Sequence, residues 1–162
     1  MTVTPHRGGL IIIATFVLAL ILTSLPLPES IRPFRPSWHS LVLIYWCMAA
    51  PQRVGVGVGW FVGLLVDVMT NTLLGQHAME LAITAFITVK LHQRIRLFPL
   101  WQQAVGVLLL LLLEQLLSTI VMGAIHRPAS ALSYWASPFV GMLLWPWIYI
   151  ILRDLRRRFK VS

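Results

Sequence analysis

Apolar stretches about as long as a bilayer is thick recur almost from end to end of the 162-residue chain. Crossing roughly 30 Å of hydrocarbon takes about 20 helical residues, so each stretch reads as a membrane helix delimited by polar, Pro-rich or Gly-containing sequence. The expected helices cover residues 8–25, 37–50, 54–70, 77–91, 100–125 and 131–152. Almost no polar sequence is left between them for a separate soluble unit. The fold expected is therefore all-α, a polytopic transmembrane bundle of six helices forming one membrane domain over residues 1–162. Composition agrees: 58% of the chain is apolar and 11% charged, against about 45–50% and about 25% in soluble domains. Arg7 and the apolar run after it could suggest a cleaved leader. The run is longer than a typical leader core, however, and Pro26, Pro28 and Glu29 do not form a small-residue cleavage site, so a retained helix is expected.

The second stretch is the short one, since about 14 residues at 1.5 Å each reach only about 21 Å. Charge decides whether it crosses. With six crossings, one side carries Arg7, Arg53, Lys90, Arg94, Arg96, Arg153, Arg156, Arg157, Arg158 and Lys160, and the other carries only Arg32, Arg35 and Arg127. That asymmetry is the one the positive-inside rule describes; without the second crossing it largely disappears. The expected topology is multi-pass in a bacterial inner membrane, with both termini cytoplasmic. The net charge of +8 flanks apolar segments instead of interleaving with aromatics on a soluble surface, which points to lipid headgroups and away from nucleic acid. The run Arg153, Arg156, Arg157, Arg158 and Lys160 is expected to anchor on anionic lipid or dock a cytoplasmic partner. Trp38, Trp60, Trp101, Trp145 and Trp147 lie towards segment ends, where an indole suits the headgroup layer.

Ionisable groups inside membrane helices are costly and mark candidate sites. Asp67 and Glu80 flank the turn between the third and fourth helices and should lie at similar depth. There they either cap and pack the turn or share polar partners among Asn71, Thr72, Gln76, His77 and Arg127. Glu114 falls near the middle of its helix and should face the bundle interior. Gly55, Gly59 and Gly63 repeat every four residues, a small-residue face that lets another helix approach closely, in this chain or in a partner. No catalytic constellation is legible: there is no zinc-binding His pair on a helix, no nucleophile elbow, and no Ser or Cys with a base nearby. His77 and Glu80 have no matching second pair for a metal, and Cys47 is the sole cysteine. No enzyme activity, metal or cofactor is expected.

Several motifs, in order and spacing, resemble the MreD family of rod shape-determining membrane proteins. They are Phe34-Arg35-Pro36-Ser37-Trp38, Tyr45-Trp46, and Pro51-Gln52-Arg53-Val54-Gly55-Val56-Gly57, then Gly63 with Asp67 and Leu74-Gly75. Leu100-Trp101-Gln102-Gln103-Ala104 and Leu144-Trp145-Pro146-Trp147-Ile148 complete the set. The resemblance implies a non-enzymatic scaffold of the cell-elongation machinery that binds MreC, a single-span protein, and helps organise lateral peptidoglycan synthesis. MreB, RodZ, RodA and a class B penicillin-binding transpeptidase would belong to the wider complex. It also implies a fold similar to the S components of energy-coupling-factor transporters. A membrane small-molecule or lipid-binding or transport module of that type, using a pocket near Asp67, Glu80 and Glu114, is the alternative.

Overall fold

A computed structural model describes residues 6–26, 28, 30–31, 34–71, 73–124 and 135–159. Expectations placed on Glu29, Arg32, Thr72, Arg127 and Lys160 lie outside the described residues. Within them the chain forms six helices and no strands: α1 (His6–Ser24), α2 (Trp38–Ala49), α3 (Val56–Thr70), α4 (Gln76–Leu97), α5 (Leu100–Ala124) and α6 (Ala136–Arg158). By length and composition α5 and α6 are each able to cross a membrane, while α1, α2 and α3 are apolar but shorter.

Contacts between helix ends give the directions. Thr23, near the end of α1, meets His39 at the start of α2 (3.3 Å), and the His39 ring lies 6.2 Å from that of His77 at the start of α4. Gln76 donates to Ser118 in the second half of α5 (2.9 Å), and Ser137, at the start of α6, donates to the Arg35 carbonyl ahead of α2. At the opposite end Arg96 of α4 donates to the last carbonyls of α2, Met48 (2.7 Å) and Ala49 (2.9 Å). There Gln103 of α5 also donates to the Ile95 and Phe98 carbonyls that close α4. Successive helices thus run in opposite directions, and the start of α1 and the finish of α6 share one end, here called the basic end.

The short α2 is the centre of the bundle. Every residue from His39 to Met48 is buried, whereas α1, α5 and α6 present Leu10, Val17, Leu109, Leu116, Leu143 and Ile151 outwards. Polar side chains such as Thr84, Gln103 and Glu114 are buried instead. An apolar exterior around a polar-seamed interior is the arrangement that lipid favours. A helix apolar on all sides belongs in such a core, and wrapped by its neighbours α2 need not be as long as they are.

Two expectations change. The charged stretch of residues 90–96 does not end the fourth helix, which runs on to Leu97; its last-turn cations Arg94 and Arg96 complement the helix dipole. Trp145 is fully buried and donates Nε1 to Gln103 (3.4 Å), so it packs the core and does not sit at a headgroup. Trp60, Trp101 and Trp147 are exposed. Pro146 lies inside α6, where its missing N–H leaves one carbonyl a turn earlier without its helical donor.

Candidate functional site

At the end away from the basic cluster, α3 and α4 meet through a tight turn organised by one carboxylate. Asp67, buried on α3, accepts from the backbone N–H groups of Gly75 (2.8 Å) and His77 (2.9 Å) and lies 2.8 Å from His77 Nδ1. It therefore caps α4 across the hairpin, satisfying donors that the first turn of a helix leaves free. The turn needs two left-handed residues, Asn71 (φ 53°) and Gly75 (φ 99°), types that adopt this region most readily. Asp67 thus caps the turn and also meets the side chain of His77, one of the polar partners open to it from sequence.

The helices come together there because two glycines on α3 leave room. A Cβ on Gly59 would lie 2.8 Å from the Leu81 carbonyl oxygen, and one on Gly63 would overlap the Ala78 backbone. Both glycines are thus filled by α4 of the same chain. Gly55 has open space around it and belongs to no such contact. The small-residue face joins helices within this protein at Gly59 and Gly63, which leaves those two positions closed to a second chain.

Glu114 lies at the heart of the bundle. Its two oxygens accept from Ser40 of α2 (2.7 Å) and Thr84 of α4 (2.8 Å), so one α5 carboxylate ties three helices together. Sequence placed Glu114 inside the bundle but could not name these partners, because lone hydroxyls in apolar runs carry no signal of what they face. Glu80, 3% exposed, lines a cavity of about 60 Å³ with Glu114, His39 and Ser118, and its Oε1 has no hydrogen-bond partner among the described residues. An adjoining cavity of about 260 Å³ shares Ser37, His39, His77, Gln115 and Ser118 and adds Arg35. Arg35 donates Nη1 to the Thr23 carbonyl, while its buried Nε lacks a partner among the described residues. The two cavities form a polar chamber at the end away from the basic cluster. Among the described residues no group of side chains could hold a metal ion.

Two further surfaces bear on function. Between α1 and α3 runs a groove of about 660 Å³, walled by Ile12, Phe16, Val17, Leu20, Phe61 and Leu65, with Gly9 and Gly57 on its flanks and no acidic lining residue. Neither glycine has a neighbour where a Cβ would point, so a backbone can come close. At the basic end Arg156 shares a cavity of about 250 Å³ with Arg96, Tyr45 and Tyr149, and Arg153 stacks on the Tyr149 ring (5.9 Å). Arg157 and Arg158 are exposed on the final turn. Of the five basic residues expected to act as one run, these four thus divide between a walled site and open surface. Arg96 was missed as a member of this site because the sequence suggested that it lay in a loop.

A family model described as rod shape-determining protein MreD matches residues 7–155. The "Rod shape-determining protein MreD" of Haemophilus influenzae (strain ATCC 51907 / DSM 11121 / KW20 / Rd) is 33% identical over 153 residues, covering 93% of each chain. No solved structure matches the chain, so the likeness to S components rests on resemblance alone.

Proposed function

The chain belongs to the MreD family of rod shape-determining membrane proteins, and from that premise we propose that it is a non-catalytic scaffold of the cell-elongation machinery, holding MreC within the inner membrane. All six helices cross, with the basic end in the cytoplasm and the polar chamber facing the periplasm. The charge asymmetry favours this orientation, and the alternating helix directions are compatible with it. MreB, RodZ, RodA and a class B penicillin-binding transpeptidase are the wider partners, reached through MreC and through the exposed basic residues of α6.

The observation that carries the MreC contact is the groove between α1 and α3. The glycine face first expected for it is taken by α4 at Gly59 and Gly63, so the contact belongs where Gly9 and Gly57 leave backbone open beside an apolar trough. A single apolar helix laid there would pack closely, as small residues allow in lipid. Gly57→Leu places a bulky side chain at the trough, from a position where a Cβ meets no described atom within 4 Å. Affinity capture of this chain from membranes in mild detergent should recover MreC stoichiometrically, and Gly57→Leu should lower that recovery severalfold at unchanged membrane levels. Unchanged recovery with Gly57→Leu rejects the groove; no MreC with the unmodified chain rejects the scaffold reading.

A second reading, a small-molecule module, is favoured by one observation: the unmet Glu80 Oε1 and Arg35 Nε border adjoining cavities. Buried polar atoms are normally satisfied by protein, water or ligand. Native mass spectrometry of the detergent-purified chain decides: a persistent stoichiometric small ligand other than a membrane phospholipid supports the module, and recovery without one, with protein subunits, supports the scaffold.

A further inference from the structure

The cavity at the basic end has the chemistry of an anion site. Two guanidinium groups, from Arg96 on α4 and Arg156 on α6, share its lining with two tyrosines, Tyr45 and Tyr149, and with Met48 and Ala49. No carboxylate lines it. Asp154 is exposed, and it projects from a different face of α6: positions 149, 153 and 156 recur at the three- and four-residue spacing of one helix face, which 154 does not share.

The Arg96 guanidinium is held in place by the fold. Arg96 spends Nε and Nη2 on the Met48 and Ala49 carbonyls, which fixes its plane against the end of α2. Its Nη1 has no partner among the described residues. Arg153 lies over the ring of Tyr149, a residue of the cavity wall, and its buried Nε donor has no acceptor among the described residues. A buried donor left unmet costs free energy that a bound acceptor would restore. A planar, pre-positioned Arg96 guanidinium that shares a cavity with Arg156 and two tyrosines suits the oxygens of a phosphate. The surroundings separate the possible sources of that phosphate. Leu97 and Phe98, directly after Arg96 at the end of α4, are exposed, apolar surface that acyl chains would cover while a headgroup entered the cavity.

We propose that this cavity is a binding site for the phosphate headgroup of an anionic membrane phospholipid. It sits where three helix ends meet, so a bound lipid would clamp α2, α4 and α6 together. The inference rests on the basic end lying in the cytoplasmic leaflet. The cavity shares no lining residue with the groove between α1 and α3, so lipid occupancy and MreC recovery can fail separately.

The test uses the full chain, delipidated in detergent, titrated with phosphatidylglycerol or phosphatidylcholine, and read by native mass spectrometry. One phosphatidylglycerol should be retained and phosphatidylcholine should not. Arg156→Gln should weaken retention about fivefold, the effect of about one basic residue at a membrane surface. Arg158→Gln, an identical charge change on the same turn but at an exposed position, should leave retention unaltered. Arg156→Lys should hold an intermediate amount, which separates loss of charge from loss of folding. Equal losses from Arg156→Gln and Arg158→Gln would overturn the site in favour of diffuse surface charge. Equal retention of phosphatidylcholine would also overturn it. Displacement of the lipid by millimolar inorganic phosphate would assign the cavity to the free anion and overturn the lipid source.

Discussion

At Gly63 a single hydrogen decides whether α3 and α4 can touch. Replacing it with a methyl would drive a carbon into the Ala78 backbone, and backbone cannot swing aside as a flexible side chain can. Forcing an extra methyl into a filled contact typically costs about 1–3 kcal/mol. Gly63→Ala should therefore lower the thermal midpoint of the purified protein clearly, while Gly55→Ala, where the same methyl meets open space, should leave it within about 0.5 kcal/mol of its starting stability. Equal effects at the two positions would contradict the packing described. Individual residues were unevenly legible in the sequence. Four-residue spacing announced a close helix contact, but spacing has no way of saying whether the partner is the next helix or another protein. The depth of Glu114 followed from counting along its run. Its acceptance from Ser40 and Thr84 depends on the rotation of three helices about their axes, which an almost uniformly apolar sequence does not encode.

Among the elements, the α3–α4 hairpin shows most directly how local chemistry builds the bundle. Asp67 is one turn from the end of α3, and its carboxylate meets the orphan donors of α4. Charged N-terminal caps of this kind are worth roughly 0.5–2 kcal/mol. Asp67→Ala should lose that amount in unfolding measurements and speed hydrogen exchange at the backbone amides of Gly75 and His77. Asp67→Asn, which keeps an acceptor oxygen, should lose less; identical exchange in the native chain and Asp67→Ala would remove the cap from the account. The ends of elements were less legible than their centres. Hydropathy marks where lipid stops, and α4 continues beyond that point because Lys90, Arg94 and Arg96 are good helix formers and Arg96 finds carbonyls on α2 to bind. The reverse holds for α2: its brevity suggested a doubtful crossing, whereas its burial on every side makes it the axis around which longer helices pack. Trp145 was misplaced for a related reason, since an indole near a segment end suits both a headgroup and a core lined with Gln103.

For the whole molecule, the order and direction of the helices bring most described basic groups to one end and the Asp67 cap and polar chamber to the other. The charge pattern alone had already separated those groups into two sides, because lipid imposes that sorting on any chain inserted into it. What it left open was the surface between the ends. In this structure the lateral face between α1 and α3 is a trough with two bare glycines, and the account stands on MreC occupying it. The measurement that reaches this claim most directly is site-specific photocrosslinking in intact membranes, with a benzophenone side chain placed singly at Val17, Phe61, Phe86 or Leu143, all exposed positions. Val17 and Phe61 line the trough, and Phe86 and Leu143 lie on α4 and α6. The account predicts MreC adducts from Val17 and Phe61 and none from Phe86 or Leu143. Adducts confined to Phe86 or Leu143, or none from any of the four, would contradict it.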